Sequence, residues 1–270
     1  MLFERAAIAG VGLIGEAVGI GRSEANLRTA LQRGIVDRTV RDFAALGPVD
    51  LVVLAVPVRS TAPLAMALLP HLHPGTILTD VGSVKGAVVD AMEALVPADR
   101  PFVGAHPIAG SERAGAAAAN AELFVGARCI VTPTARTPPQ ALARVRALWE
   151  GVGARVEEMT PAAHDRTLAW TSHLVHALAY ALVRGLDAAD PTLLAGGGPS
   201  LRDATRVAAS PAELWRDIFL DNADAVGDAI GHFAGELARL RDAIAAGDAT
   251  ALQALLDAAV LAKRRSENLS

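Results

Sequence analysis

The residues Ala6-Ala7-Ile8-Ala9-Gly10-Val11-Gly12-Leu13-Ile14-Gly15 join an apolar run to a GxGxxG pattern, and this stretch decides the fold. The apolar run predicts a buried strand, and the glycines after it let a backbone approach a pyrophosphate closely. The pattern gains specificity from the alternating strands and helices that follow, and from Leu54-Ala55-Val56-Pro57. We therefore expect a nicotinamide dinucleotide to contact Gly10, Gly12, Leu13, Ile14, Gly15, Val56 and Pro57.

The end of the second strand run bears on the choice between NAD and NADP. At this point of such folds an acidic residue normally binds the ribose hydroxyls of NAD. This chain instead has Gly21-Arg22-Ser23 there. Because a guanidinium and a hydroxyl suit a 2′-phosphate, Arg22 and Ser23 favour NADP over NAD.

The connection between these two stretches is unusually short. Only Glu16 separates Gly15 from the second strand run, which begins at Ala17. A crossover between parallel strands ordinarily takes about a dozen residues or more and includes a helix. Either the chain lacks the helix that would bind the pyrophosphate, or a segment is absent from the sequence. If the sequence is continuous, residues 6–10 and 17–21 are not expected to form adjacent parallel strands.

The first half of the chain alternates apolar runs with helical stretches. The runs predict strands at residues 6–10, 17–21, 51–56, 76–80, 102–103, 128–132 and 156–159. Ser23 is expected to begin a helix that Gly34 ends, and Pro138-Pro139 begins another that runs through Trp149. Apolar strands separated by helices are typical of a parallel sheet covered on both faces. The predicted class is α/β, with a Rossmann-like dinucleotide-binding domain over residues 1–159.

From residue 160 onward the pattern is that of long helices. Apolar residues recur at spacings of three and four over residues 164–186, 212–246 and 249–263, and Gly196-Gly197-Gly198-Pro199 breaks the pattern. Helices so rich in small apolar residues favour packing against more than one neighbour. We expect an all-α dimerisation and substrate domain over residues 160–270, with a self-contained bundle as the alternative.

Composition limits the partners that the chain can bind. The chain has 270 residues, is 52% hydrophobic and carries a net charge of -4, with its Lys and Arg residues dispersed. No basic surface for nucleic acid is expected. The N-terminal residues lack the pattern of a signal peptide, and no uninterrupted apolar run reaches membrane-spanning length. We expect a cytoplasmic protein that binds neither nucleic acid nor membranes.

Two further stretches carry groups suited to proton transfer. Gly104-Ala105-His106-Pro107-Ile108-Ala109-Gly110-Ser111-Glu112 places an imidazole on a turn after a short strand, and histidine has the side-chain pKa nearest neutral pH. Upstream, Thr79-Asp80-Val81-Gly82-Ser83-Val84-Lys85-Gly86 ends another strand in small polar residues. In this order the two stretches resemble the prephenate and arogenate dehydrogenases of tyrosine biosynthesis. The resemblance runs from the glycine pattern through Trp215-Arg216-Asp217-Ile218-Phe219-Leu220-Asp221-Asn222 and covers nearly the whole chain.

The resemblance implies roles for individual residues. His106 would accept the proton of the substrate's ring hydroxyl, and Ser83 would hydrogen-bond the same region. Arg206 would hold a substrate carboxylate, which a guanidinium can bind bidentately. The other substrate residues that the resemblance implies are Ser111 and Glu112 near the substrate side chain, Asp165 as a gating residue, His176 in the pocket, and Trp215 reaching the neighbouring subunit's site.

Three histidines of the second half invite interpretation as a metal site. His176 lies four residues after Ser172 and three after His173, so one helix face can present it beside either of them, and periodicity alone makes these three half-buried packing residues. With His164 they match no HExxH pattern, and clustered cysteines are absent from the sequence. The resembling family uses no metal, and we expect none here.

The reaction implied by the resemblance is oxidative decarboxylation of prephenate or arogenate by a homodimer. Hydride would pass to the nicotinamide while His106 takes the hydroxyl proton, and loss of carbon dioxide would make the ring aromatic. One alternative is an NADP-linked dehydrogenase of the β-hydroxyacid type, but residues 164–186 lack the lysine that its chemistry needs. Another is a non-catalytic dimeric ligand-binding homologue that has lost cofactor binding, which the short crossover suggests and the retained His106, Ser83 and Arg206 oppose.

Overall fold

The structure, a computed structural model, describes residues 5–9, 16–109 and 115–268, and the side chains of residues 5–9 and 16 are outside this description. Several residues with predicted roles lie outside the described residues: Gly10, Gly12, Leu13, Ile14 and Gly15 of the glycine pattern, and Ser111 and Glu112 of the substrate site.

The described part of the chain contains eight strands, most of them in its first half. In chain order they are β1 (Arg5–Ala9), β2 (Glu16–Ile20), β3 (Arg38–Val40), β4 (Leu51–Leu54), β5 (Ile77–Asp80), β6 (Phe102–Ile108), β7 (Arg128–Thr132) and β8 (Arg155–Glu158). The α-helices are α1 (Glu24–Gln32), α2 (Thr61–Leu68), α3 (Gly86–Leu95), α4 (Pro139–Gly151), α5 (Pro161–Leu168), α6 (Leu174–Ala189), α7 (Thr192–Ala195), α8 (Pro199–Thr205), α9 (Ala212–Asp221), α10 (Ala223–Ala246) and α11 (Ala249–Glu267).

The described strands form one sheet in the order β3-β2-β1-β4-β5-β6-β7-β8. Neighbouring strands are parallel except for β6 and β7, which are antiparallel. The predicted α/β class, a Rossmann-like domain followed by helices, is confirmed. The antiparallel pair departs from the expected parallel sheet because β7 begins opposite the end of β6, with Arg128 facing Ile108, so no helix has to carry the chain back across the sheet.

The two faces of the sheet each bury a separate apolar cluster. Along β4 the fully buried Val52 and Leu54 belong to one cluster, whereas Leu51 and Val53 belong to the other. This alternation follows from the two-residue period of a strand. Helices therefore cover both faces, and the edge where the strands end is left for a binding site.

The strands β1 and β2 are parallel neighbours, with Arg5 opposite Glu16 and Ala9 opposite Ile20. The expectation that a continuous chain could not pair them in this way is wrong. The connection has to return along one five-residue strand, about 16 Å, and six residues of at most about 3.6 Å each can cover that distance. The connection itself, residues 10–15, lies outside the described residues.

The strand β6 is longer than the sequence predicts. It continues past Val103 to Ile108, and His106 pairs with Ile130 of β7. The placement of His106 on a turn is therefore wrong. Pairing with β7 extends the backbone of residues that locally have weak strand signals, and it holds this imidazole on the sheet.

The helical half is more finely divided than the sequence predicts. The expected helix over residues 164–186 consists of α5, a π-helical turn over Ala169–His173, and α6. The expected helix over residues 212–246 is interrupted at Asn222, which lies between α9 and α10 and whose backbone is not helical. Both interruptions fall beside the polar site described below.

The chain divides into two compact units, residues 1–223 and residues 224–270. The first contains the sheet and the helices through α9. The second consists of most of α10 and of α11, which a turn at Gly247 and Asp248 connects. The functional division predicted at residue 159 is a different boundary and stays a prediction.

Candidate active site

The parallel strands β2, β4, β5 and β6 end at the same edge of the sheet, and most of the polar groups with predicted roles lie at this edge. His106 is near the end of β6 and is 9% exposed. Its Nδ1 lies 2.8 Å from Nε2 of His164, and Nδ1 of His164 lies 2.7 Å from Oδ1 of Asp165. His106 of β6 and the consecutive residues His164 and Asp165 of α5 thus form a buried line of hydrogen bonds, the His106 line.

The carboxylate of Asp165 is anchored at the start of α3. Its Oδ1 accepts a hydrogen bond from the backbone N–H of Lys85 at 2.8 Å, and its Oδ2 accepts one from the N–H of Gly86 at 2.7 Å. A carboxylate at a helix N-terminus is also favoured by the helix dipole. This arrangement gives Asp165 a clear anchoring position, and the gating role expected from the resemblance stays a prediction.

A buried ion pair between Lys85 and Asp80 lies next to these residues. The ammonium of Lys85 is fully buried and pairs with Oδ2 of Asp80 at the end of β5. Asp80 also accepts hydrogen bonds from the backbone N–H groups of Gly82 and Ala105, at 2.9 and 3.1 Å. Because Ala105 precedes His106, the pair fixes the backbone that carries the imidazole.

The electrostatics of the line keep its two imidazoles neutral. Burial, followed by the charge of Lys85, places the pKa of His106 well below 6.5. Burial also lowers the pKa of His164, although its hydrogen bond to Asp165 opposes this shift. Burial alone would raise the pKa of Asp165, but the hydrogen bonds from His164, Lys85 and Gly86 outweigh it and lower the pKa. At neutral pH the site contains a carboxylate and two uncharged imidazoles.

Ser83 occupies the segment between β5 and α3. It is half-buried, and its neighbours Gly82 and Lys85 both bond to Asp80, so the segment is held beside the His106 line. The structure thus brings the two predicted catalytic residues, His106 and Ser83, to one edge of the sheet.

A second polar cluster adjoins the first through Asn222. Its side-chain amide donates to the backbone carbonyl of Asp165 at 2.9 Å and lies 3.1 Å from Nδ1 of His173. Burial lowers the pKa of His173 to about 4, against the opposing charge of Asp165. The break between α9 and α10 therefore places Asn222 where it joins α5 to the π-helical turn.

The predicted substrate residues His176, Trp215 and Arg206 come together at this second cluster. The ring of Trp215 stacks on that of His176, and the pKa of His176 is lowered by burial and then by the positive charge of Arg206. Trp215 is only 7% exposed and is covered by its own chain. Within this chain, His176 and Phe219 pack against its ring, and the expected contribution of Trp215 to the neighbouring subunit's site stays a prediction.

A cavity of about 520 Å³ opens beside the ends of β2 and β4. It has the size of small-molecule sites, which are commonly about 300–1,000 Å³. Its walls combine apolar side chains with three exposed arginines: Ile20, Gly21, Arg22, Arg41, Phe43, Val56, Pro57, Arg59, Ser60, Pro63 and Leu64. The cavity thus unites the predicted cofactor residues Arg22, Val56 and Pro57.

The predicted cofactor residue Ser23 is not among the residues that line this cavity. It is the N-cap of α1, and its hydroxyl oxygen accepts a hydrogen bond from the N–H of Asn26 at 3.3 Å; its expected role at a 2′-phosphate stays a prediction. Arg41 was not predicted. It follows β3, a three-residue strand next to β2, and this strand was too short for the apolar pattern to reveal.

The site also contains polar residues that the sequence analysis did not select. The sequence analysis gives no role in the site to four of them: His164, Lys85, Asp80 and Asn222. In the sequence, His164 directly precedes the predicted residue Asp165, and Lys85 lies two residues after Ser83. Their partners are distant in sequence: the His106–His164 bond spans 58 residues, and the Lys85–Asp165 bond spans 80.

The described residues include no group of three or more His, Cys, Asp or Glu side chains that could hold a metal ion. No helix in that part of the chain is long and apolar enough to cross a membrane.

Comparison with known proteins gives one consistent family. Residues 10–158 match the family model described as "Prephenate dehydrogenase, nucleotide-binding domain", and residues 160–258 match "Prephenate dehydrogenase, dimerization domain". The cyclohexadienyl dehydrogenase of Zymomonas mobilis is 38% identical over 266 residues, which cover 92% of this chain and 90% of that protein.

Solved structures agree with this match. A prephenate dehydrogenase from A. aeolicus, in complex with hydroxyphenyl propionate and NAD+, has a TM-score of 0.90 and 32% identity over 97% of each chain. The Synechocystis arogenate dehydrogenase has a TM-score of 0.80 and 28% identity, covering 97% of this chain and 99% of that one. The resemblance inferred from the sequence is confirmed. The chain belongs to the prephenate dehydrogenase family and is an NAD(P)-linked oxidoreductase of that family.

Proposed function

We propose that in the family's reaction, the oxidative decarboxylation of prephenate or arogenate in L-tyrosine biosynthesis, His106 of this chain is the general base. The observation that carries this assignment is the hydrogen bond between His106 and His164, because it holds a buried, neutral imidazole at the edge of the sheet where ligands bind. An uncharged imidazole can accept a proton without first losing one.

The chemistry divides between the cofactor and the chain. When bound, the dinucleotide supplies the acceptor for the hydride that leaves the hydroxyl-bearing ring carbon. His106 takes the proton of that hydroxyl, and Ser83 hydrogen-bonds the same oxygen. As the bond to the ring carboxylate breaks, its electron pair enters the ring, carbon dioxide departs, and the oxygen regains a proton to give the phenol. The chain's part is therefore orientation and proton transfer at His106.

The cluster of Arg206, His176 and Trp215 is the proposed site for the rest of the substrate. A guanidinium next to a half-buried imidazole and an aromatic face offers charge to a carboxylate and apolar contact to a ring or side chain. We assign Ser111 and Glu112 to the substrate side chain on the family resemblance alone. A keto or an amino group there distinguishes prephenate from arogenate.

The cavity beside β2 and β4 is the proposed site of the cofactor's adenosine half. Its apolar walls suit an adenine, and Arg22 and Arg41 line the cavity with two cations of the kind that favour a 2′-phosphate, so NADP is the proposed cofactor. The A. aeolicus relative was crystallised with NAD+, and the two cationic residues are the reason to expect a different preference here.

The proposed assembly is a cytoplasmic homodimer. The second family model is a dimerization domain. The helices α10 and α11 carry exposed apolar side chains that a second copy could cover, including Leu237, Ile244, Leu256 and Leu261, each 49–64% exposed.

A steady-state assay that crosses prephenate and arogenate with NADP and NAD tests the proposal. We expect turnover with at least one substrate and a higher kcat/KM with NADP. Calorimetry with each cofactor separates the remaining alternative, because a non-catalytic ligand-binding homologue would turn over none of the four pairs and bind neither dinucleotide. A higher kcat/KM with NAD would overturn the cofactor assignment while leaving the reaction intact.

A further inference from the structure

The line from His106 through His164 to Asp165 determines where its protons lie. The inference drawn from this line rests on the proposed role of His106. Asp165, whose carboxylate is ionised, can only accept hydrogen bonds, and its partners include two backbone N–H groups and Nδ1 of His164. The nitrogen facing the carboxylate must therefore carry a hydrogen, so Nδ1 of His164 is protonated.

The position of this first hydrogen decides the others. A neutral imidazole has a single N–H, so protonation of His164 at Nδ1 leaves its Nε2 as a hydrogen-bond acceptor. That Nε2 faces Nδ1 of His106 at 2.8 Å, and the contact is a hydrogen bond only if His106 is the donor. The hydrogen of neutral His106 is then on Nδ1, and the free electron pair is on Nε2.

We propose that His164 is a positioning residue, anchored by Asp165, that holds His106 in the tautomer whose Nε2 accepts the substrate's hydroxyl proton. The backbone of α3 fixes Asp165, Asp165 orients His164, and His164 selects the tautomer of the base. Without this acceptor, His106 could place its hydrogen on Nε2, where it would block proton transfer.

The charges around the line favour this neutral arrangement. The groups that act on His106 are Lys85, His164 and His173, and those that act on His164 are Asp165, Lys85 and Asp80. The charge of Lys85 disfavours an extra proton on either ring, whereas the charges of Asp165 and Asp80 favour one on His164. Once His106 takes a proton from the substrate, its Nδ1–H bond to His164 becomes charge-assisted and stronger.

The tautomer can be measured directly in the resting protein. Imidazole ¹⁵N chemical shifts at neutral pH distinguish a protonated from a bare ring nitrogen at each histidine. We expect protonated Nδ1 and bare Nε2 at both His106 and His164. Protonated Nε2 at His106 would overturn the proposal. This measurement needs neither substrate nor turnover, so it separates failure of the proposed tautomer from failure of the proposed reaction.

Kinetics of two variants test the consequence. His164→Phe keeps an aromatic ring but removes the acceptor, and we expect kcat to fall by roughly a hundredfold or more with KM changed less than about twofold. His164→Gln can still accept from His106 and should recover part of the loss, together with protonation of His106 at Nδ1. His73→Phe, at an exposed histidine in the loop before β5, is the matched control and should leave kcat unchanged. An unaltered kcat in a folded His164→Phe variant would overturn the proposal, as would a change confined to KM.

Discussion

The ring of Trp215 stacks on the ring of His176, with centroids 3.5 Å apart and ring planes 19° apart. The stack joins α9 to α6, and a second imidazole, that of His173, meets the same Trp215 ring edge-on, with ring centroids 5.9 Å apart. Because Trp215 is buried in its own chain, the orientation of His176 depends on packing within one subunit.

Removal of this stack should weaken substrate binding. Aromatic pairs contribute about 0.5–1.5 kcal/mol beyond the area that they bury, so we expect Trp215→Leu to raise KM roughly two- to tenfold with little change in kcat. Trp149→Leu is the matched control, since that tryptophan, on α4, is also buried but packs against Phe124, away from this cluster. Steady-state assays should show a higher KM in the first variant alone, and equal KM changes would argue against a role in binding.

Substitution of Arg206 should act mainly on substrate affinity. In Arg206→Lys a point ammonium replaces a planar fork, and loss of the bidentate contact should cost about 1.5–3 kcal/mol. We expect KM to rise accordingly while kcat changes little. Arg202→Lys, at an exposed arginine one helical turn earlier on α8, is the control. An unchanged KM in the Arg206 variant would place the carboxylate-binding residue elsewhere.

Reversal of charge at Arg22 should change cofactor preference. Arg22→Asp adds repulsion to the loss of a cation at the 2′-phosphate, so calorimetry should show a larger decrease in affinity for NADP than for NAD. Arg28→Asp, on the exposed face of α1, makes the same change in net charge away from the cavity. Equal losses for both cofactors in the Arg22 variant would contradict the assignment of the 2′-phosphate site.

Removal of the base should slow turnover without loss of binding. We expect His106→Asn to lower kcat by roughly a hundred- to ten-thousandfold at nearly constant KM, the usual range for a lost general base. Since the pKa of His106 lies well below 6.5, wild-type kcat/KM should decrease only at pH values below 6.5. His71→Asn, at an exposed histidine, is the control. Near-normal turnover of His106→Asn would remove His106 from the mechanism.

The buried His173 should make stability depend on pH. Its folded-state pKa is about 4, below the ordinary 6.5, so between these values the unfolded chain binds more protons than the folded one. The free energy of unfolding should therefore decrease as pH falls from 6.5 to 4, and His173 should contribute up to about 3 kcal/mol of that decrease. The other lowered histidines act in the same direction.

Urea unfolding across this pH range measures the effect. His173→Gln should reduce the pH dependence, whereas His232→Gln, at an exposed histidine of α10, should leave it unchanged. A His173→Gln variant with the full wild-type slope would show that another group dominates.

Much of the fold could be predicted from the sequence because its signals are local. The apolar runs at β4, β5 and β7 mark strands, Ser23 caps α1, Gly34 ends it with a φ of 64°, and Pro138 precedes α4. Each of these depends on the conformational preferences of a few neighbouring residues. The order of these signals, together with the two polar stretches, was enough to recognise the family.

The tertiary structure decided what depends on residues far apart in the chain. Pairing with β7 extends β6 through His106. The parallel pairing of β1 with β2 could not be predicted from the length of the segment that connects them. The hydrogen bond from His106 to His164 crosses 58 residues, and the α3 backbone that anchors Asp165 lies about 80 residues before it. Hydrogen bonds between distant elements leave no periodic pattern along a sequence, so only the packed structure shows which nitrogen of His106 is left to accept a proton.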